Sequence, residues 1–189
     1  MNHLMNNKDT IINKLRSSSM SYLARYEVSI HQLESTLKRK ISYLENDLNE
    51  KEKSNIINLI KEEMILAKFV DDKRYAETKT RSIRRQGGSI RLIYSKLKEK
   101  GISNDLIQSS IEIVDDGQEN AEIKAAVKFM KKKNIGVFSN TQSISNEKDK
   151  YSLKQKWLGA LSRRGFSLET INKVINLNDI NNANLILDE

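Results

Sequence analysis

Few side chains in this sequence could carry covalent or metal chemistry, and their spacing speaks against it. There is no cysteine, which excludes disulfides and thiolate metal sites. The only histidines are His3 and His31. His31 falls inside a helical pattern with no partners for a metal set or a nucleophile triad. Asp71-Asp72 could form a carboxylate pair, but catalytic carboxylates need surroundings that split their pKa values. These two precede a helix, where aspartate caps free N–H groups, and capping is the preferred reading. Asp115-Asp116 reads as a second helix-end turn. Gln86-Gly87-Gly88-Ser89 opens a helix and could receive a phosphate. It lacks the spacing and the Lys-Ser/Thr ending of a nucleotide loop, so a plain helix-to-helix turn is preferred. No catalytic residue, metal or cofactor is expected.

Charge is the stronger signal. The chain has 189 residues, a net charge of +8 and a pI near 9.5, which points to a polyanionic partner. Residues 1–70 hold 11 basic and 9 acidic side chains, residues 71–114 hold 10 and 6, and residues 115–189 hold 12 and 10. Lys79 to Lys100 carries eight basic residues against the single acid Glu99. Arg74, Arg81, Arg84 and Arg85 share roughly one helical stripe. Arg91, Lys96, Lys98 and Lys100 follow on the next helix, and Lys131-Lys132-Lys133 and Arg163-Arg164 add charge further on. Arginine forks suit phosphates and carboxylates. A solvated charged face is the alternative. The stripe's helix has few apolar residues beyond Tyr75, Ala76 and Ile83, which favours a partner. Trp157, Tyr94 and Phe166 could stack on bases, but they lie in apolar stripes or beside a glycine turn, where core packing is preferred.

The elements that must position these residues are helices. Proline is absent and there are only seven glycines, too few turn formers for a β-rich fold. Ser29–Lys40 (SIHQLESTLKRK) aligns with Ser89–Lys100 (SIRLIYSKLKEK) at an offset of 60, and the stretch from Leu97 aligns with that from Leu161 at an offset of 64. Such fixed-period similarity marks a repeat architecture. The pattern predicts an all-α protein of three tandem three-helix repeats, at residues 1–69, 70–116 and 117–189, stacked into an elongated, curved array of nine helices. In the middle repeat, Gly87-Gly88 and Gly101 separate helices capped by Ser89 and Ser103. Ile90, Ile93, Tyr94 and Leu97 form one apolar stripe, and Ile107, Ile111 and Val114 another. In the first repeat, Ile12, Leu15, Tyr22 and Tyr26 suit the first helix. Ser29 and Gln32 form a capping box, the second helix is expected to run to about Asn49, and Ser54 is expected to cap the third. In the last repeat a mobile polar loop is expected near 134–149. No window is long and apolar enough to span a bilayer, and the opening MNHLMNNKDTIINKL lacks a secretory core. A cytoplasmic protein is expected.

The run from Phe69 to Ser103 resembles the central motif of the RecX family of recombinase regulators. The matching residues are Asp71, Asp72, Tyr75, Ala76, Arg81, Arg84, Gly87, Ile90, Leu97, Lys100, Gly101 and Ile102. LSRRGFSLETI from Leu161 is similar to the family's closing motif, and the segment from Tyr22 to its opening repeat. The first repeat departs by lacking a Lys-Gly step after Leu37 and by extra charges from Asn46 to Lys53. The resemblance implies a three-repeat helical module that binds the RecA filament on single-stranded DNA, and a monomer is expected. It implies restraint of filament growth, ATP hydrolysis, strand exchange and co-protease activity, with no enzyme activity and no cofactor. The basic residues named above are the candidate contacts. A helix-turn-helix-like DNA-binding protein acting without RecA is the rival, and a scaffold indifferent to DNA a third reading.

Overall fold

The computed structural model describes residues 2–44, 47–140 and 146–188, the side chains of residues 2–7 excepted. Among these the chain is all-helical, with ten α-helices and one 3-10 turn and no strand. It divides into two compact units. One comprises residues 1–76 with 98–106, the other residues 77–97 with 107–189.

In the first unit, α1 (Asn2–Leu23), α2 (Ile30–Tyr43) and α3 (Glu50–Leu66) pack mutually. Leu15, Leu33, Leu37, Ile56 and Ile60 are fully enclosed at the centre. Spacings of three and four residues bring these side chains onto one face of each helix, which is what the apolar stripes require. Ser29 caps α2 in the capping box with Gln32 that the sequence predicts. Two boundaries differ from expectation. α2 stops at Tyr43, with Leu44 extended, and does not reach Asn49. Asn49 instead starts α3 through a reciprocal box with Glu52, five residues before Ser54. Glu50 and Glu52 in that first turn complement the helix dipole. Tyr26 lies beyond the end of α1, exposed and tilted against Tyr22.

The second unit holds the greater part of α4 (Asp72–Arg85), α5 (Ile90–Lys98) and α6 (Asn104–Asp115). It also holds α7 (Ala121–Lys133), the 3-10 turn Gly136–Phe138, α8 (Glu147–Arg163), α9 (Leu168–Ile175) and α10 (Ile180–Asp188). Its core gathers Ala126, Val127, Met130, Leu161, Phe166, Ile171 and Val174, with Trp157 packed against it. The predicted loop from Asn134 begins inside this core. Asn134 caps α7 in the left-handed region, Ile135 is buried, and Val137 and Phe138 pack on the same cluster. Residues 141–145 of that stretch lie outside the described residues. α10 is a helix beyond the nine expected, docked by the buried Ala183 against α7 and the 3-10 turn. In α5, Ile93 and Leu97 are buried as the stripe requires, while Ile90 is partly exposed.

Each unit contains the same joint. In the first, the Ser29 hydroxyl donates to the Lys100 carbonyl at 2.6 Å, and Asp72 Oδ1 accepts the Ile30 N–H at 2.8 Å. In the second, the Ser89 hydroxyl donates to the Arg164 carbonyl at 2.7 Å, and Glu122 accepts the Ile90 N–H at 3.1 Å. The following glycine sits against the N-terminus so joined. Gly101 and Gly165 have φ of +76° and +92°, and a Cβ there would come within 2.5 Å of His31 Cβ and 2.6 Å of Ser89 Oγ respectively. Only glycine combines that backbone with that approach. The joints supply partners for N–H groups that a helix N-terminus leaves unsatisfied.

Candidate anion-binding trough

The α4–α7 face is organised by an arginine that does not itself face solvent. Arg84 follows the buried Ala76 and Thr80 at intervals of four, so its Cα points inward. Thr80 fixes the register through its hydroxyl contact with Ser110 on α6 at 2.9 Å. The Arg84 side chain is 8% exposed. Its guanidinium donates in two-pronged fashion to Asp115 at 3.0 and 2.5 Å, to Glu122 at 2.6 Å and to the Gly88 carbonyl at 3.0 Å. A buried charge is tolerable only with such pairing. Burial works to lower its pKa, but Asp115 and Glu122 outweigh that and hold it raised. Arg84 thereby ties the ends of α4 and α6 to the start of α7.

Above this tie runs a trough of about 270 Å³ walled by Arg81 and Arg85 of α4 and by Lys124 and Lys128 of α7, with Asp115, Ala121 and Ala125 beneath. A second groove of about 370 Å³ shares Arg85 and Lys128 and adds Lys131, Lys132 and Leu187. Among the described residues, Arg85, Lys124, Lys128 and Lys132 enter no ion pair. Arg81 has a partner on its own helix, Glu77 at 3.3 Å, in an exposed pair that contributes about 0.5 kcal/mol or less. Lys131 donates to Asn184 at 3.2 Å and lies over the Phe138 ring. Burial, then Lys124, then Arg84 push the Lys128 ammonium below the usual lysine pKa. Asp115, the carboxylate that lines the trough, is committed to Arg84, as is Glu122. The trough therefore presents concentrated positive charge with little compensation, and anionic oxygens are the chemistry it fits.

The sequence-predicted residues divide accordingly. Arg81, Arg85, Lys131 and Lys132 come together along these grooves, with Arg84 beneath them as a support. Arg164 belongs to the joint, donating to the Gly87 and Gln86 carbonyls at 3.2 Å and stacking over Phe129. Arg91, Lys96 and Arg163 lie elsewhere on the second unit, exposed. Arg74, Lys98 and Lys100 belong to the first unit, where Arg74 pairs with Glu27 at 2.9 Å and holds the Lys68 carbonyl. Asp71 caps α4 through the Lys73 and Arg74 N–H groups. Asp72 serves α2, and burial raises its pKa. Lys124 and Lys128 are trough residues that the charge runs of the sequence do not single out. Their spacing with Lys131 and Lys132, opposite the buried Ala126, Val127 and Met130, is the signal that marks them. Phe166 is buried, Trp157 is packed on the core, and the Tyr94 hydroxyl is bound to Gln108 at 2.7 Å. Among the described residues no acidic and histidine side chains cluster into a metal set, and no helix is long and apolar enough to cross a membrane.

Comparison with known proteins agrees with this architecture. Residues 71–111 match the second three-helix domain of RecX, and residues 142–175 match the third. A curated relative, the regulatory protein RecX of Myxococcus xanthus, is 30% identical, with 87% of this chain and 85% of that protein covered. The regulatory protein RecX of Clostridium acetobutylicum is 26% identical, covering 82% of this chain and 69% of that protein. The crystal structure of RecX from Lactobacillus salivarius superposes with a TM-score of 0.63 at 20% identity, over 94% of this chain and 99% of that one. A second crystal structure of a regulatory protein RecX gives a TM-score of 0.65 at 17% identity, over 90% and 74%. Tandem three-helix domains in the family's order, and near-full-length likeness to a curated member, mean that this chain belongs to the RecX family.

Proposed function

We propose that this chain binds the RecA filament on single-stranded DNA and restrains its growth, ATP hydrolysis and co-protease activity. It acts in the cytoplasm as a monomeric binding protein without a catalytic site. The observation that carries the reading is the α4–α7 trough, lined by Arg81, Arg85, Lys124 and Lys128, of which the last three enter no ion pair among the described residues, while Arg84 engages Asp115 and Glu122. Membership of a family whose curated members are named regulatory proteins supports it. Arg81, Arg85, Lys124 and Lys128 would face DNA phosphates or acidic protein surface within the filament. Bridging successive subunits would block addition of new ones and the closure that hydrolysis requires. Contacts to phosphates release counterions, so binding should weaken as salt rises.

The test is DNA-dependent ATPase activity and filament length of the cognate recombinase, with and without this protein. Shorter filaments and slower hydrolysis are expected. Tight, sequence-preferring binding to a defined duplex with no change in ATPase would instead identify a helix-turn-helix-like DNA-binding protein acting alone.

A further inference from the structure

We propose that Lys128 is an acylation site, modified directly by acyl phosphates, and that its acylation switches off the cationic trough. The consequence rests on the trough being the partner-binding face; the chemistry at Lys128 does not. Lys128 stands where the two grooves meet, half-buried on α7 and lining both. Arg81, Arg85 and Lys124 line the same trough. Asp115 and Glu122, the nearby carboxylates, are engaged by Arg84 and so repel an incoming anion less. An acyl phosphate carries its electrophilic carbonyl one bond from a phosphate. Fixed cations that hold the phosphate bring the carbonyl to the adjacent amine, which is catalysis by positioning.

The amine must be neutral to attack. Burial and the neighbouring Lys124 and Arg84 favour that form at Lys128. In the step, the Nζ lone pair forms a bond to the acyl carbon. The bond from that carbon to the phosphate oxygen breaks, and its electron pair leaves with the phosphate. The amine proton passes to the departing phosphate or to water, so an amide and inorganic phosphate result with no change in oxidation state. The amide carries no charge, and the trough loses a cation from the position both grooves share.

The experiment incubates the full chain with acetyl phosphate and follows acetylation of each lysine by mass spectrometry. Lys128 is expected to react several-fold faster than the exposed Lys14 and Lys156. Arg85→Gln should slow Lys128 several-fold and leave Lys14 unchanged. With acetic anhydride, which offers no phosphate, the dependence on Arg85 should vanish. Equal rates at Lys128, Lys14 and Lys156, or a Lys128 rate indifferent to Arg85→Gln, would overturn the site. The switch is read separately. Lys128→Gln should weaken inhibition of recombinase ATPase while Lys128→Arg retains it, and full inhibition by Lys128→Gln would overturn the switch. Site mapping contains no recombinase, so failure of the filament reading and failure of the acylation chemistry are distinguishable.

Discussion

Replacing Arg84 with methionine tests whether the trough is built on a buried ionic tie. The substitution keeps an unbranched apolar stem but removes the guanidinium and its four donated hydrogen bonds: two to Asp115, one to Glu122 and one to the Gly88 carbonyl. Removing one partner of a buried pair costs about 3–5 kcal/mol, because the remaining charge stays desolvated. Here the carboxylates retain 17% and 25% exposure against 8% for the arginine, so they can partly hydrate. The expected loss is therefore at the low end, about 3 kcal/mol, or roughly a hundredfold in the unfolding equilibrium. Lysine at this position should recover only part, since a point charge cannot fork to two carboxylates. The triple change Arg84→Met, Asp115→Asn, Glu122→Gln should be less unstable than Arg84→Met alone, because no unpaired charge remains. Urea unfolding followed by far-ultraviolet circular dichroism measures all three. A loss below about 1 kcal/mol for Arg84→Met, or a triple variant less stable than the single, would show that Arg84 is a solvated surface charge and refute the tie.

Gly165→Ala should destabilise by about 2–3 kcal/mol, combining positive φ with a Cβ placed 2.6 Å from Ser89 Oγ. Gly117→Ala, with φ +70° but nothing within 4 Å, should cost only about 1 kcal/mol; equal melting shifts for the two would argue against the joint. In the first unit, Arg16 pairs with Glu63 through two hydrogen bonds of 2.7 Å, which hold the Glu63 pKa below its ordinary value. That contribution is intact above the unfolded-state pKa and is lost as pH falls through the lower folded-state value. Partly exposed, it should be about 0.5–1 kcal/mol, so Glu63→Gln should cost stability at pH 7 and progressively less as pH falls through the Glu63 titration. For binding to the filament, Lys124→Gln with Lys128→Gln should flatten the slope of log affinity against log salt by up to about two, measured by fluorescence anisotropy on labelled filaments.

The helical triplets were readable because apolar spacing and serine caps act over four residues or fewer. The second unit's joint was written in the sequence at offsets of 60 and 64, but as two separate similarities. Periodicity pairs Ser29 with Ser89 and Gly101 with Gly165; only the fold shows Ser29 bonded to Lys100 and Ser89 to Arg164. Arg84 resembles Arg81 and Arg85 in type and spacing. Its burial follows from its place on the face of Ala76 and Thr80, which residue type and charge alone do not reveal. Lys124 and Lys128 stand apart from the dense basic runs in sequence and join Lys131 and Lys132 only through helical spacing on α7. α10 is not legible locally, because its sequence, INNANLILD, carries three asparagines of weak helix propensity. Its helix depends on docking through Ala183, which local pattern does not reveal. The early start of α3 has a local, legible cause, the Asn49–Glu52 box upstream of Ser54.

The most direct test of the trough as the filament-binding face is DNA-dependent ATPase of the cognate recombinase, titrated with wild-type protein and with the variant Arg81→Glu, Arg85→Glu, Lys128→Glu. Arg84 is left intact so that the fold is preserved, and circular dichroism confirms it. The expected result is loss of inhibition with unchanged helical content. Full inhibition by the folded triple variant would contradict the assignment and place the partner on another surface of the protein.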